Sequence, residues 1–217
     1  MSRKEKPAKQ DRSRRTREVL LRSLEELLKE RSFEQIGVVE IAENANVSTA
    51  SIYRRFDKRD GLLPALFDLY LQRMEEWYQR DDIKTELAKL ATQNLTLKQF
   101  VNMNIQLLIR LIRDLEHLSR PMFLYARMRP DLISDRVVQQ LQSALESSKQ
   151  TLANFSHEIK RKDLERSAQF IGYFFQTVPY DYILFRDQTV LPGLDITDDD
   201  FAAELSDFIC GYLTMSS

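Results

Sequence analysis

Apolar residues along this chain recur at helical rather than strand spacing almost from end to end. Between Thr16 and Arg31, Leu20, Leu24, Leu27 and Leu28 fall at steps of four, three and one among Glu and Arg, which puts a leucine stripe on one side of a first helix. Ser32 to Gly37 reads as a short connector whose Phe33 and Ile36 can close the same apolar face. Val38 to Ala45 carries Val39, Ile41, Ala42 and Ala45 and has room for about two helical turns. The next residues change character: Asn44 and Asn46 tolerate a left-handed backbone, and Ser48 is a strong N-cap, so a third helix is expected from Thr49 through Ile52, Tyr53 and Phe56 to near Asp57. Leu62, Leu63, Leu66, Leu69, Tyr70 and Met74 mark a long fourth helix ending near Asp81. Helical spacing continues over residues 83–92, 97–115, 117–128, 131–156, 163–186 and 198–215, with Pro179 expected to kink the helix it falls in. Asp198, Asp199 and Asp200 put negative charge on the first turn of the last helix, where the dipole favours it.

Composition supports an all-α fold. Apolar residues make up 43% of the 217 positions, enough for a sizeable core, whereas five glycines and six prolines are too few for the turns of an all-β chain. The expected division is a basic flexible arm (1–15), a helix-turn-helix domain (16–62) built on two short helices joined by a tight turn, and a larger helical domain (63–217). The net charge of -1 conceals a strong polarity. Residues 1–17 hold eight Arg and Lys against Glu5 and Asp11, a local +6, so the other 200 residues carry -7. Such a chain presents one end to a polyanion and keeps the rest away from it.

The same residues argue against other classes. Cys210 is the only cysteine and cannot form an internal disulfide, and no secretory signal pattern is present, so the chain reads as cytoplasmic. The longest apolar stretches, around residues 105–112 and 170–185, are broken by Gln106, Arg110, Gln176 and Asp181 and fall short of the roughly 20 residues a bilayer span needs, which leaves no membrane partner. Only His117 and His157 exist, too few for a di-iron bundle site; Cys210 suits a packing thiol better than a nucleophile; and no glycine-rich phosphate loop appears. No catalytic residues, metal or cofactor are therefore expected.

The spacing Val39-x-Ile41-Ala42-x-x-Ala45-x-Val47-Ser48-x-Ala50-Ser51-Ile52-Tyr53-x-x-Phe56-x-x-Arg59-Asp60-x-Leu62-Leu63 resembles the DNA-binding domain of the TetR family of transcriptional regulators. It departs from the family at Ser32 and Asn46, where Gly is common, at Gly37, where Thr is common, and at Arg55 and Arg59. The resemblance implies a recognition helix whose Thr49, Ser51 and Arg54 face the major groove, capped at Ser48, itself among the expected DNA-binding residues, with Tyr53 and Arg59 on the phosphate backbone. Thr16 and Arg17 are expected at phosphate too, the basic arm in the minor groove, and Arg55 in either role.

For the second domain the resemblance implies that the last two helices pair with a second copy. Phe170, Tyr173 and Thr177 on one, and Phe201, Leu205, Phe208 and Tyr212 on the other, are the expected homodimer interface. A pocket for a small, apolar or aromatic effector is expected among Phe100, Met103, Leu107, Phe123, Arg127, Phe174 and Gln176. Such a regulator, acting as a repressor, would meet a palindromic operator with recognition helices one DNA turn apart, and an effector would tilt the fourth helix to change that separation. The rival is a helical protein-interaction module without operator binding. Arg54, Arg55, Arg59 and the basic arm favour the reader of DNA, since the rival would more naturally carry an acidic face there.

Overall fold

The computed structural model describes residues 7–56, 60–186 and 194–216, and among these every regular element is helical. The expected kink position Pro179 lies inside a continuous helix, as does Pro121. The chain divides into two compact units, one of residues 1–72 with 117–134, the other of residues 73–116 with 135–217.

The first unit is built on α1 (Pro7–Leu28), α2 (Val38–Asn44) and α3 (Thr49–Tyr53), followed by the first part of α4 (Leu63–Tyr78), with α7 (Glu116–Met128) joined to them. The leucine stripe is inside: Leu20, Leu24, Leu28, Phe33, Ile36, Ile41, Ile52, Leu62 and Leu66 are all buried. Ser23 ties α1 to α2 by donating from its hydroxyl to the Ile41 carbonyl at 2.9 Å. Val39 departs from the expected pattern, being 55% exposed, because so short a helix buries only Ile41 and Ala42 against its neighbours.

Two expectations change here. The first helix starts at Pro7, well inside the stretch expected to be a flexible arm. Proline suits the first helical position, where its missing N–H has no helical partner to lose, and nothing from Ala8 to Leu28 breaks a helix. The compact unit also extends past the expected boundary at residue 62 and includes residues 117–134. Phe33 meets Tyr125 edge to face at 5.3 Å, the Tyr125 hydroxyl donates to Glu34 at 2.9 Å, and Arg129 reaches Asp60 at 3.1 Å. Contacts across 69 or more residues leave no trace in local periodicity.

The second unit holds α5 (Asp81–Thr92), α6 (Leu97–Asp114), α8 (Asp135–Ala153), α9 (Leu164–Phe185) and α10 (Asp198–Thr214). In it α6 packs on both α9 and α10, and α8 on α9. α6 and α10 run antiparallel: Ser206 donates to the Lys98 carbonyl at one end, and Arg113 grips Asp198 with two bonds of 3.0 and 2.8 Å at the other. That guanidinium holds the Asp198 carboxyl below the usual carboxylate range. Both helices open with a capping box, Thr96 with Gln99 and Thr197 with Asp200, which satisfies N–H groups the first turn would leave open. No helix among the described residues is long and apolar enough to cross a membrane.

Candidate nucleic-acid interface

The turn between α2 and α3 is a Schellman motif. Asn46 takes φ 51°, the one positive φ among the described non-glycine residues, while its N–H donates to the Glu43 carbonyl and the N–H of Val47 donates to the Ala42 carbonyl, both at 2.9 Å. These bonds end α2 abruptly and redirect the chain into Ser48, whose extended φ/ψ of -71°/145° starts α3. Ala42 and Ala45 are buried where the helices approach, Ile52 is fully buried between them, Val47 is half-buried, and Phe56 closes the small core.

Packing Ile52 and Phe56 inward turns the polar side of α3 out. Tyr53 is 60% exposed, Arg54 and Ser48 are exposed, and Thr49, Ser51 and Arg55 are half-buried. Ser48 does not cap through its side chain. Its hydroxyl lies 3.0 Å from that of Ser51, which also accepts from Arg54 Nη2 at 3.2 Å, while Arg54 Nε donates to the Ala50 carbonyl at 3.2 Å. Arg54 is thus folded along the helix and held by neutral acceptors only, so it can swing out without breaking an ion pair. Arg55 Nη1 donates to the Ser51 carbonyl at 3.0 Å, and its Nε is buried without an acceptor. Glu40, on α2, is occupied by Arg31, whose guanidinium holds the Glu40 carboxyl below its ordinary range.

On α1, Thr16 is half-buried and Arg17 is exposed, 3.5 Å from Asp68. Arg59 and residues 1–6 of the expected arm lie outside the described residues. Ser13, Arg14, Arg17, Arg55 and Phe56 line a cleft of about 380 Å³. Arg14, within the expected arm, and Arg17 lie three residues apart on α1 and so share a helix face.

In the second unit the expected interface divides. Phe170, Tyr173 and Phe208 are 44%, 66% and 56% exposed, and Phe170 contacts both Phe174 and Tyr212 at 5.0 Å ring separation while Phe174 stacks on Phe208 at 5.3 Å. Thr177 is half-buried beside them, its hydroxyl donating to the Tyr173 carbonyl. Phe201 and Leu205, by contrast, are 5% and 7% exposed within the chain itself, with Phe201 stacked on Tyr182 at 3.9 Å. They continue as Ile209 and Leu213, the stripe of α10 that forms the core, which removes both from the exposed face.

The expected pocket residues are not gathered in one place within either unit. Met103 and Leu107 line a cleft of about 340 Å³ with Glu86, Lys89, Gln106, Arg110 and Asp199. Phe100 packs on Phe155, Phe174 belongs to the aromatic cluster, and Gln176 is exposed. Phe123 and Arg127 lie in the first unit, with the Arg127 guanidinium 3.6 Å over the Phe123 ring. Cys210 is half-buried, which pushes its thiol pKa up, the direction of an unreactive packing thiol.

A short helix pair with a left-handed turn and an outward polar helix free of acidic side chains is a helix-turn-helix DNA-binding domain. Residues 20–66 match the family described as bacterial regulatory proteins, tetR family. No curated protein matches the chain in sequence. Solved structures similar to it include the fatty acid degradation regulator FadR from Bacillus halodurans, 13% identical, covering 97% of this chain and 98% of that one at a TM-score of 0.58. Others are a bacterial regulatory protein in the tetR family from Rhodococcus RHA1, 11% identical over 93% and 98% at 0.58, and Salmonella enterica GusR, 16% identical over 99% and 100% at 0.54. At these identities the likeness is one of fold.

Proposed function

We propose that this DNA-binding regulator reads a palindromic operator as a homodimer, represses from it, and responds to a small apolar or aromatic molecule. The observation that carries the reading is α3: Thr49 and Ser51 on an outward helix that ends at the exposed Tyr53, with Arg54 directly after it and no carboxylate on the helix itself. Hydroxyls and an arginine fork can match base edges, whereas a phenol at the flank, with Thr16, Arg17 and Arg59, can hold register on phosphates. Dimerisation is supported by the exposed Phe170, Tyr173 and Phe208, with Phe174 and Tyr212 half-buried beside them, an apolar surface that favours cover by a second copy. Two copies must set their α3 helices about 34–36 Å apart to meet successive major grooves. Met103 and Leu107 offer an apolar floor in the second unit on which an effector can seat.

The test is selection of the purified protein on random duplexes at two salt concentrations, with and without candidate ligands. Enrichment of a two-fold symmetric sequence, with affinity falling steeply as salt rises, is the expected result. Weak binding that enriches nothing under any condition would overturn the reading and leave a helical interaction module in its place.

A further inference from the structure

Charged side chains of the second unit form a continuous ladder of contacts from its cleft to the last turn of α4. The cleft, of about 340 Å³, has an apolar floor of Met103 and Leu107, with Lys89 and Arg110 as the cations of its walls. Arg110 is shared. Its Nη1 donates to Glu86 within the cleft at 2.8 Å, and its Nη2 donates to Asp82, which is not part of the lining. Arg80 forks Asp82 in turn, from Nε at 3.2 Å and Nη2 at 3.0 Å, and its Nη1 reaches Asp114 at 2.7 Å. The same Asp114 oxygen accepts from the indole N–H of Trp77 at 2.8 Å. Trp77 is 3% exposed and stands next to the end of α4, a helix whose first part belongs to the first unit. Each ion pair is partly exposed and adds little by itself, but guanidinium forks that hold two carboxylates apiece tie the positions of these side chains together.

We propose that the effector of this cleft is an organic anion with a short apolar body, and that it signals by drawing Arg110 away from Asp82, which frees Arg80 and Trp77 at the end of α4. This rests on the effector reading above and gives the small apolar molecule a charged end. The sign follows from the order of the contacts. A cation in the cleft would pair with Glu86 and leave the bond from Arg110 to Asp82, and everything beyond it, in place. An oxyanion competes with both carboxylates for the one guanidinium, and the Lys89 ammonium, about one turn of α5 after Glu86, gives it a second anchor. Asp199, the other acid of the walls, lies in the first turn of α10, where the helix N-terminus already offsets its charge. An uncharged apolar molecule would rest on Met103 and Leu107 and disturb no rung of the ladder.

Trp77 is the only tryptophan of the chain, so its emission reads the far end of the ladder without a label. The full-length wild type is compared at constant ionic strength with Arg110→Met and with the control Lys98→Met, which removes an exposed ion pair to Asp207 from the same helix. Without any ligand, Arg110→Met should shift Trp77 emission to longer wavelength and expose it to acrylamide quenching, although Asp82, Arg80 and Asp114 stand between the two residues; Lys98→Met should do neither. Hexanoate should produce the same shift in the wild type, saturably, while hexanol and hexylammonium should not. By calorimetry hexanoate should bind Arg110→Met about tenfold more weakly, the loss of one charge-assisted bond. Trp77 unmoved in folded Arg110→Met, checked by circular dichroism, would show that the ladder carries nothing, and the proposal would be wrong whatever binds in the cleft. A shift in Arg110→Met with none from hexanoate would overturn the anion, and the effector reading of this cleft with it. A shift from hexanol or hexylammonium as large as that from hexanoate would overturn the anion while leaving the effector reading in place. Should Arg110→Met fail to fold, Arg110→Lys replaces it, because a single ammonium cannot fork across both carboxylates.

Discussion

Asn46 offers the sharpest test of how the binding domain is held in shape. Its φ of 51° lies in the left-handed region, which costs a side-chain-bearing residue about 1–2 kcal/mol, less for Asn and nothing for Gly. The residue is exposed and the motif's two bonds come from backbone N–H groups, so replacing the side chain removes neither burial nor a bond of the turn. Only the conformational term is left. Asn46→Ala is therefore expected to destabilise by about 1 kcal/mol, and Asn46→Gly to stabilise by about 0.5 kcal/mol, part of its gain being offset by a freer unfolded chain. For a chain of this size 1 kcal/mol corresponds to about 2–4 °C in Tm. Urea and thermal unfolding of the three proteins should order them Gly, Asn, Ala from most to least stable, with Asn46→Gly keeping wild-type duplex affinity. A glycine variant less stable than the wild type, or an alanine variant equal to it, would refute the assignment of the turn as the strained point.

Arg54→Ala should relax sequence preference at the bases it meets by about 1–3 kcal/mol, while Tyr53→Phe should weaken binding to all duplexes alike; selection profiles of the two variants that coincide would contradict these roles. Replacing Tyr173 and Phe208 together by Asp should weaken self-association by roughly 3 kcal/mol, about a hundredfold, as followed by sedimentation equilibrium, and a wild type that is monomeric at micromolar concentration would rule out the interface. Asp198 has its folded pKa lowered by Arg113, so the stability it adds is complete above the unfolded carboxylate value near 4 and fades as pH falls below it. Asp198→Asn should accordingly cost roughly 1 kcal/mol at neutral pH, and its deficit should shrink on acidification from pH 5 to 3; a deficit independent of pH would show that the ion pair is not its source.

Much of this protein is written locally. Leucines three and four apart, alanines where α2 and α3 cross, an Asn able to turn left-handed and the residue pattern from Val39 to Leu63 all act within a few positions of one another, so the helices and the TetR-like reader could be derived from the chain before any tertiary contact was known. The helices beyond Asp81 were legible for the same reason. Where a helix offers two apolar stripes, the choice between them was not. Steps of three and four join Phe201 and Leu205 to Phe208 and Tyr212 as readily as to Ile209 and Leu213, and only the packing of α10 on α6 decides that the first pair goes inside while Phe208 stays exposed. The inclusion of residues 117–134 in the binding unit, through Tyr125 and Arg129, likewise depends on contacts far apart in sequence. So does the meeting of Arg14, Arg17 and Arg55 around one cleft. The period of a helix specifies which residues share a face, but which face is buried, and what converges on it, is set by neighbours that only the folded chain brings near.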